Sequence, residues 1–152
     1  TISIDKLILN LNSKDIEKVF KINSFSSILF TKHLINKMIN DKFGRFIFFN
    51  STRASRGDVG ISLYSLSKSV LSPLSKCISK EYGRFNITSN VISLGYFNSP
   101  LLNNIDRKIK NKLIDQIPSK KIGKIKNISN IIKAIIKSDY VNAAEIKIDG
   151  GI

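Results

Sequence analysis

The sequence predicts a single α/β domain built on a parallel sheet. Three observations carry that expectation: apolar residues alternate between helical spacing and short unbroken runs, the elements follow the order helix, strand, helix, strand, helix, strand, and no internal repeat or low-complexity linker interrupts them. Consecutive parallel strands need a crossover that returns the chain to the same end of the sheet, and a helix between the runs supplies it. At 152 residues with 42% hydrophobic content the chain has the size of one domain and can bury a sizeable core.

The elements follow in order. From about Lys14 to Asn40, residues Ile16, Val19, Phe20, Phe25, Ile28, Leu29, Ile35 and Met38 recur at near-helical spacing, with Ser13 as N-cap and Asp15 and Glu17 in the first turn, which predicts one long amphipathic helix. Gly44 leads into Arg45-Phe46-Ile47-Phe48-Phe49, an apolar run expected of a strand buried on both faces, with Ser51 at its C-terminal end. A polar stretch with Gly57 and Gly60 separates it from a second helix, about Ser62 to Tyr82, that Pro73 should kink or break. Asn86 to Ile92 reads as a second strand ending at Leu94-Gly95. Short helical pieces are expected near Pro100–Asn104 and Asp106–Ile117, closed by Pro118, then a helix near Ile128–Lys137 and a strand Glu145–Ile148 before Asp149-Gly150-Gly151.

Charge and composition limit the function. The 25 Lys and Arg against 11 Asp and Glu leave +14, a balance that raises nucleic acid or an anionic membrane as partner. The lysines run along the whole chain, however, and the densest stretch, Arg107 to Lys112 with Lys120, Lys121, Lys124 and Lys126 beyond it, has no aromatic residue for base stacking. Solvated lysines are the expectation, with neither nucleic acid nor membrane as partner. No run approaches the roughly 18 apolar residues of a membrane span, and no signal-peptide pattern is present. Cys77, the single cysteine, excludes an internal disulfide framework and is expected as a small core residue; a cytoplasmic setting follows. No metal site is expected.

The pattern that carries chemistry is Tyr64-Ser65-Leu66-Ser67-Lys68. Four residues on a helix bring the phenol and the ammonium to one face. A phenol titrates near ~10 and is a poor acid–base group at neutral pH, whereas a neighbouring cation favours the phenolate, so the pair is suited to exchanging a proton with an oxygen. The spacing alone is common on amphipathic helices. Its context is not: Ser51 stands thirteen residues before Tyr64 and Asn23 twenty-eight before Ser51.

In identity and spacing, Asn23, Ser51, Tyr64 and Lys68 resemble the catalytic tetrad of the short-chain dehydrogenase/reductase family. The flanks are similar too: Gly44 to Ser51 and Gly57, then Thr88 to Gly95, where Leu94 replaces a usual proline, and Ser99 in place of a threonine. Further on come Pro118 to Gly123, Ser138-Asp139-Tyr140, where Ala143 replaces a glycine a few residues later, and Asp149-Gly150-Gly151. The resemblance implies the C-terminal part of a Rossmann-like doubly wound parallel sheet and reduction of a carbonyl to an alcohol with NADP or NAD, closest to 3-oxoacyl-acyl-carrier-protein reductases. Tyr64 would act as general acid–base, Lys68 would lower its pKa and hold the nicotinamide ribose, Ser51 would orient the carbonyl and steady the oxyanion, and Asn23 would hold a relay water. Tyr64, Lys68, Gly95 and Ser99 would contact the cofactor. The partners implied are a small-molecule carbonyl or acyl-carrier-protein-bound substrate and further copies of the chain, as homodimer or homotetramer.

One part of the pattern is missing. A dinucleotide site needs a glycine-rich strand–turn–helix for the pyrophosphate, and neither Gly-x-x-x-Gly-x-Gly nor the family's Asn-Asn-Ala-Gly occurs. Thr1 to Asp5 begins shortly after where the latter would stand, so residues 1–152 are expected to form one partial domain, active on condition that the nucleotide-binding strands are supplied. The alternatives are a non-catalytic remnant, a fragment dependent on a partner, and a basic nucleic-acid-binding module.

Overall fold

A computed structural model of the chain describes residues 1–99, 102 and 105–152. The expected piece at Pro100–Asn104 lies almost wholly outside the described residues. Three parallel strands, β1 (Gly44–Ser51), β2 (Ile87–Leu94) and β3 (Glu145–Ile148), form a sheet in the order β1-β2-β3. The parallel α/β expectation holds, and the boundaries of β3 agree to the residue.

The long N-terminal helix is not uniform. Helix α1 (Ser13–Phe20) runs through a π-helical turn, Lys21–Phe25, into α2 (Ser26–Asp41). A π-turn inserts one residue and brings consecutive side chains closer in direction, and Asn23 and Ser24 both face inward there. The N-cap is Asn12 rather than Ser13: its side chain accepts from the Asp15 amide while the Asp15 carboxylate accepts from the Asn12 amide, a reciprocal capping box.

After β1 the chain forms a short helix α3 (Thr52–Arg56), then α4 (Ser62–Ser69) and α5 (Leu71–Tyr82), which meet at Val70. Pro73 accounts for the break. It is the third residue of α5, where no intrahelical partner is required of its missing N–H, whereas a continuous helix would have needed one. Cys77 is exposed on α5, contrary to expectation: the buried stripe there runs through Leu71, Ser75, Ile78 and Ser79 instead.

Helices α2 and α5 cover one face of the sheet, where Ile35, Phe46, Ile78 and Ile87 form the core. The last two helices are α6 (Arg107–Gln116) and α7 (Ile125–Lys137), and α7 lies against β1 from the opposite face, with Ile47 and Ile136 lining a common cleft. Strand β2, paired on both sides, is buried almost throughout. Strand β1 is an edge, and Phe49 is 42% exposed, which corrects the expectation of burial on both faces. Among the described residues no helix is long and apolar enough to cross a membrane.

Polar side chains sew β3 to β2. Buried Asn90 donates from Nδ2 to the Val141 carbonyl (2.8 Å) and accepts from the Ala144 amide (3.0 Å), and the Ala143 amide donates to the Ser89 carbonyl (2.9 Å). Glu145 accepts from Ser72 and Ser93 hydroxyls at 2.6 Å each; burial opposes its charge, but these hydroxyls and the Asn50 amide outweigh it and hold the carboxyl below its ordinary value. Stitched in this way, Ala143 is forced to φ 58°, the left-handed region where a Cβ is strained. Ala143→Gly relieves that strain at the expense of some unfolded-state entropy and should stabilise the fold by about 0.5–1 kcal/mol. A urea melt checks it; an unchanged or lower midpoint would contradict the strain.

Candidate active site

The C-terminal ends of the strands come together because the sheet is parallel, with Ser51 and Leu94 in register. Ser51 is extended (φ −140°) and stands at the N-cap of α3; its amide donates to the Asn50 Oδ1 at 2.9 Å. Gly57, at φ 73°, ends α3 and turns the chain towards α4. There Tyr64 is half-buried and Lys68, one turn further, is 7% exposed.

Helix α4 is held from behind by the π-turn. Asn23 Nδ2 donates to Ser67 Oγ (3.0 Å) and the Ser24 hydroxyl to the Ser67 carbonyl (2.7 Å), while Ser67 Oγ itself donates to the Tyr64 carbonyl (2.8 Å). Asn23, 4% exposed, also grips the start of the chain: Nδ2 donates to the Ile2 carbonyl (2.7 Å), and Oδ1 accepts from the Ile2 amide (2.8 Å) and the Thr1 hydroxyl (2.9 Å). Two donors and two acceptor sites are thereby filled, so the side chain that resemblance assigns to a relay water is fully engaged with protein.

Lys68 Nζ donates to the Phe49 carbonyl at 2.7 Å and lines, with Thr1, Asn23 and Phe49, a groove of about 360 Å³ along the free edge of β1. Burial pushes its ammonium pKa down. Among the described residues neither the Tyr64 phenol nor the Ser51 hydroxyl has a side-chain partner, so both are available to a ligand, and Lys68 is not bonded to Tyr64. Gly95 follows β2 and donates to the Ile148 carbonyl (3.0 Å); a Cβ there would lie 2.7 Å from Asp149 Cα, so only glycine lets the ends of β2 and β3 meet. Ser99 Oγ accepts from the Leu102 amide at 3.4 Å. Among the described residues no three His, Cys, Asp or Glu side chains gather where a metal ion could be held.

The family model described as enoyl-(acyl carrier protein) reductase matches residues 2–152. The chain belongs to the short-chain dehydrogenase/reductase family. Within that family it is 33% identical over 150 residues to the 3-oxoacyl-[acyl-carrier-protein] reductase FabG of Buchnera aphidicola subsp. Baizongia pistaciae, covering 97% of this chain and 61% of the relative. It is 26% identical to MabA, a 3-oxoacyl-[acyl-carrier-protein] reductase of Mycobacterium tuberculosis, covering 99% and 62%. A gluconate 5-dehydrogenase from Burkholderia cenocepacia, solved with NADP and tartrate, superposes with a TM-score of 0.90 at 20% identity over 99% of this chain and 60% of that one, a likeness of fold alone. The chain thus spans about three-fifths of the length of the short-chain reductases it matches.

The structure brings Asn23 and Lys68 to one groove and keeps Tyr64 and Lys68 on one helix. It also adds residues that sequence reasoning passed over. Ser67 links Asn23 to the turn before Lys68, although it lies in plain view inside Tyr64-Ser65-Leu66-Ser67-Lys68. Arg56 donates to Asp58 Oδ2 (2.8 Å) and the Tyr96 hydroxyl (3.1 Å), tying the loop after β1 to the loop after β2; no sequence signal marks that pair.

Lys68 yields a pH prediction. Because its folded ammonium gives up a proton at lower pH than the unfolded chain does, the unfolded chain binds more protons between that lowered value and the ordinary 10.5, and stability rises with pH across the interval. Lys68→Met removes the buried charge and should be more stable at neutral pH by on the order of 1 kcal/mol, with the gap to the wild type closing as pH rises. Urea melts between neutral pH and the onset of general base unfolding check it; a gap that widens with pH would contradict the burial argument.

Proposed function

We propose that the chain is the carbonyl-facing part of an NAD(P)-dependent reductase that converts a 3-oxoacyl thioester, carried on an acyl carrier protein, to its 3-hydroxy form. The observation that carries this reading is the placement of Tyr64 and Lys68 one turn apart on α4, with the Ser51 hydroxyl unpartnered at the end of β1, in a member of a family of oxidoreductases. NADP is the cofactor in the solved gluconate 5-dehydrogenase of like fold, and the matched relatives are named for acyl-carrier-protein substrates.

The donor set fits the nicotinamide–ribose end of such a cofactor. Lys68 carries a buried ammonium, Tyr64 shares its helix, and Ser51 ends β1 at the C-terminal side of the sheet, where open α/β sheets bind ligands. The pyrophosphate end is not provided for, since no glycine-rich turn precedes a helix in this sequence. The cofactor supplies the hydride when bound.

The chain's own groups do the rest. Ser51 Oγ donates to the substrate carbonyl oxygen and steadies the charge that develops there. The Tyr64 phenol gives that oxygen its proton, and the Lys68 ammonium stabilises the phenolate left behind. Lys68, whose ammonium donates to the Phe49 carbonyl in this structure, would hold the ribose hydroxyls of a bound cofactor. Asn23 acts by position: through Ser67 it fixes the turn of α4 from which Lys68 projects.

A second reading, that activity depends on chain supplied from elsewhere, is favoured by one observation. The free edge of β1, with Phe49 half-exposed beside the groove, is an unpaired parallel edge that invites a further strand. Leu29 and Phe30, 63% and 68% exposed on α2, support self-association on another surface.

The test is oxidation of NADPH with an acetoacetyl thioester, measured with the chain alone and with the nucleotide-binding part of a matched reductase added. Tyr64→Phe should lower the rate at least about 100-fold while the fold, read by circular dichroism, is kept. A Tyr64→Phe variant that kept full activity would overturn the assigned role.

A further inference from the structure

Arg56 is held by one corner only. Its hydrogen bonds to Asp58 Oδ2 (2.8 Å) and to the Tyr96 hydroxyl (3.1 Å) both leave from the same nitrogen, Nη2. The guanidinium also lies over the Tyr96 ring, 5.8 Å from its centroid, a cation–π contact that helps to orient the group. Among the described residues Nη1 and Nε, which carry the remaining N–H donors, have no partner. A positioned guanidinium with an open edge is a recognition element for an oxygen acceptor.

Its place in the fold says which acceptor. Ser51 is the N-cap of α3 and Arg56 is the last residue of that helix, about one and a half turns further on. Tyr96 follows Gly95, just beyond Leu94, the strand neighbour of Ser51. The Arg56–Tyr96 bond therefore crosses the C-terminal ends of β1 and β2 on the β2 side, whereas the groove at Lys68 lies along the free edge of β1. Tyr96 is half-buried there, one wall of a cleft of about 470 Å³ that Phe97, Lys121, Lys124 and Asp149 also line. With the cofactor ribose on the Lys68 side, the Arg56 side is left to the substrate.

We propose that Arg56 is a specificity-determining residue whose open edge donates to the second, unreduced carbonyl oxygen of a 1,3-dicarbonyl substrate, while Ser51 and Tyr64 serve the oxygen being reduced. The proposal rests on the reductase reading above and deepens it, the second oxygen being that of the thioester. One methylene separates the two carbonyl carbons of such a compound. The donor for the second oxygen must therefore stand near Ser51 without competing for the first, and the last residue of the helix that Ser51 caps meets that condition.

The charge balance selects a neutral acceptor. Asp58 already answers the positive charge, so a second carboxylate on the guanidinium would meet the repulsion of the first, whereas a carbonyl oxygen would not. The cation itself is permanent, its pKa raised further by the Asp58 carboxylate and then by the Tyr96 hydroxyl. A site that hydrogen-bonds an extra oxygen rejects the analogue lacking it far better than an apolar wall discriminates by size.

Two measurements on the full chain decide it, using S-acetoacetyl-N-acetylcysteamine and its thioether analogue, the same ketone without the thioester oxygen. In nuclear magnetic resonance titrations without cofactor, the thioester should shift the Arg56 Nε–H resonance and the thioether should not. Equal shifts from both, or none from either, overturn the proposal. With the nucleotide-binding part of a matched reductase supplied, Arg56→Met should lower kcat/KM for the thioester roughly tenfold to hundredfold and leave that for the thioether unchanged. Equal losses on both compounds, the result of merely untying the two loops, overturn it as well. Absence of any reduction by the wild type, with the resonance shift still selective for the thioester, sinks the reductase reading alone and leaves Arg56 as the anchor of the second oxygen.

Discussion

One buried amide, Asn23, joins the pieces of chain on which the candidate chemistry depends. Its four hydrogen bonds reach the first two residues and Ser67, so a polar group that would be costly to bury is fully satisfied. The π-helical turn shapes this contact. In a regular helix consecutive side chains diverge by about 100°, and the wider π-turn narrows that angle between Asn23 and Ser24, both of which bond to Ser67 of α4. The extra residue rotates them together, and two bonds then converge on Ser67, one at its hydroxyl and one at its carbonyl. Lys68 is the next residue.

The parallel sheet supplies the other half of the arrangement. Strands running the same way end at the same side, so Ser51, Gly95 and Asp149 become neighbours although they are far apart in sequence. Backbone rather than side chains closes this end. Gly95 admits the end of β3 without a Cβ, and the Tyr96–Asn98 loop exchanges amide bonds with Gly123 on both sides. The candidate groups thus sit on rigid elements, and the basic segment from Arg107 to Lys126 stands on more exposed chain.

Much of this was legible in the sequence because it depends on local spacing. The apolar run Phe46 to Phe49, the proline that splits α4 from α5 and the four residues between Tyr64 and Lys68 are each set by neighbours within a turn or a strand. The boundaries of β3 belong to the same class. What escaped depends on partners distant in sequence. Phe49 reads as a doubly buried strand residue, yet it is exposed because β1 has a single neighbour. Cys77 is apolar in a helical pattern, but the buried face of α5 is set by Ser75 and Ser79, which bond across to β2 and its surroundings. The strain at Ala143 follows from bonds to Ser89 and Asn142, and substitution of the family's glycine hinted at it. A single inserted residue in the π-turn leaves the apolar spacing almost unchanged, so pattern reading saw one helix.

On the proposed reading, Ser51, Tyr64, Lys68 and Gly95 together receive a nicotinamide ring and its ribose. Nuclear magnetic resonance titration of the chain with reduced nicotinamide mononucleotide tests it most directly, because that fragment needs no pyrophosphate turn. The account predicts shifts that saturate together at these four residues and at Phe49, whose carbonyl Lys68 would release. Shifts confined to the cleft of Lys121 and Lys124, or none at Tyr64 and Lys68 at saturating ligand, would contradict it.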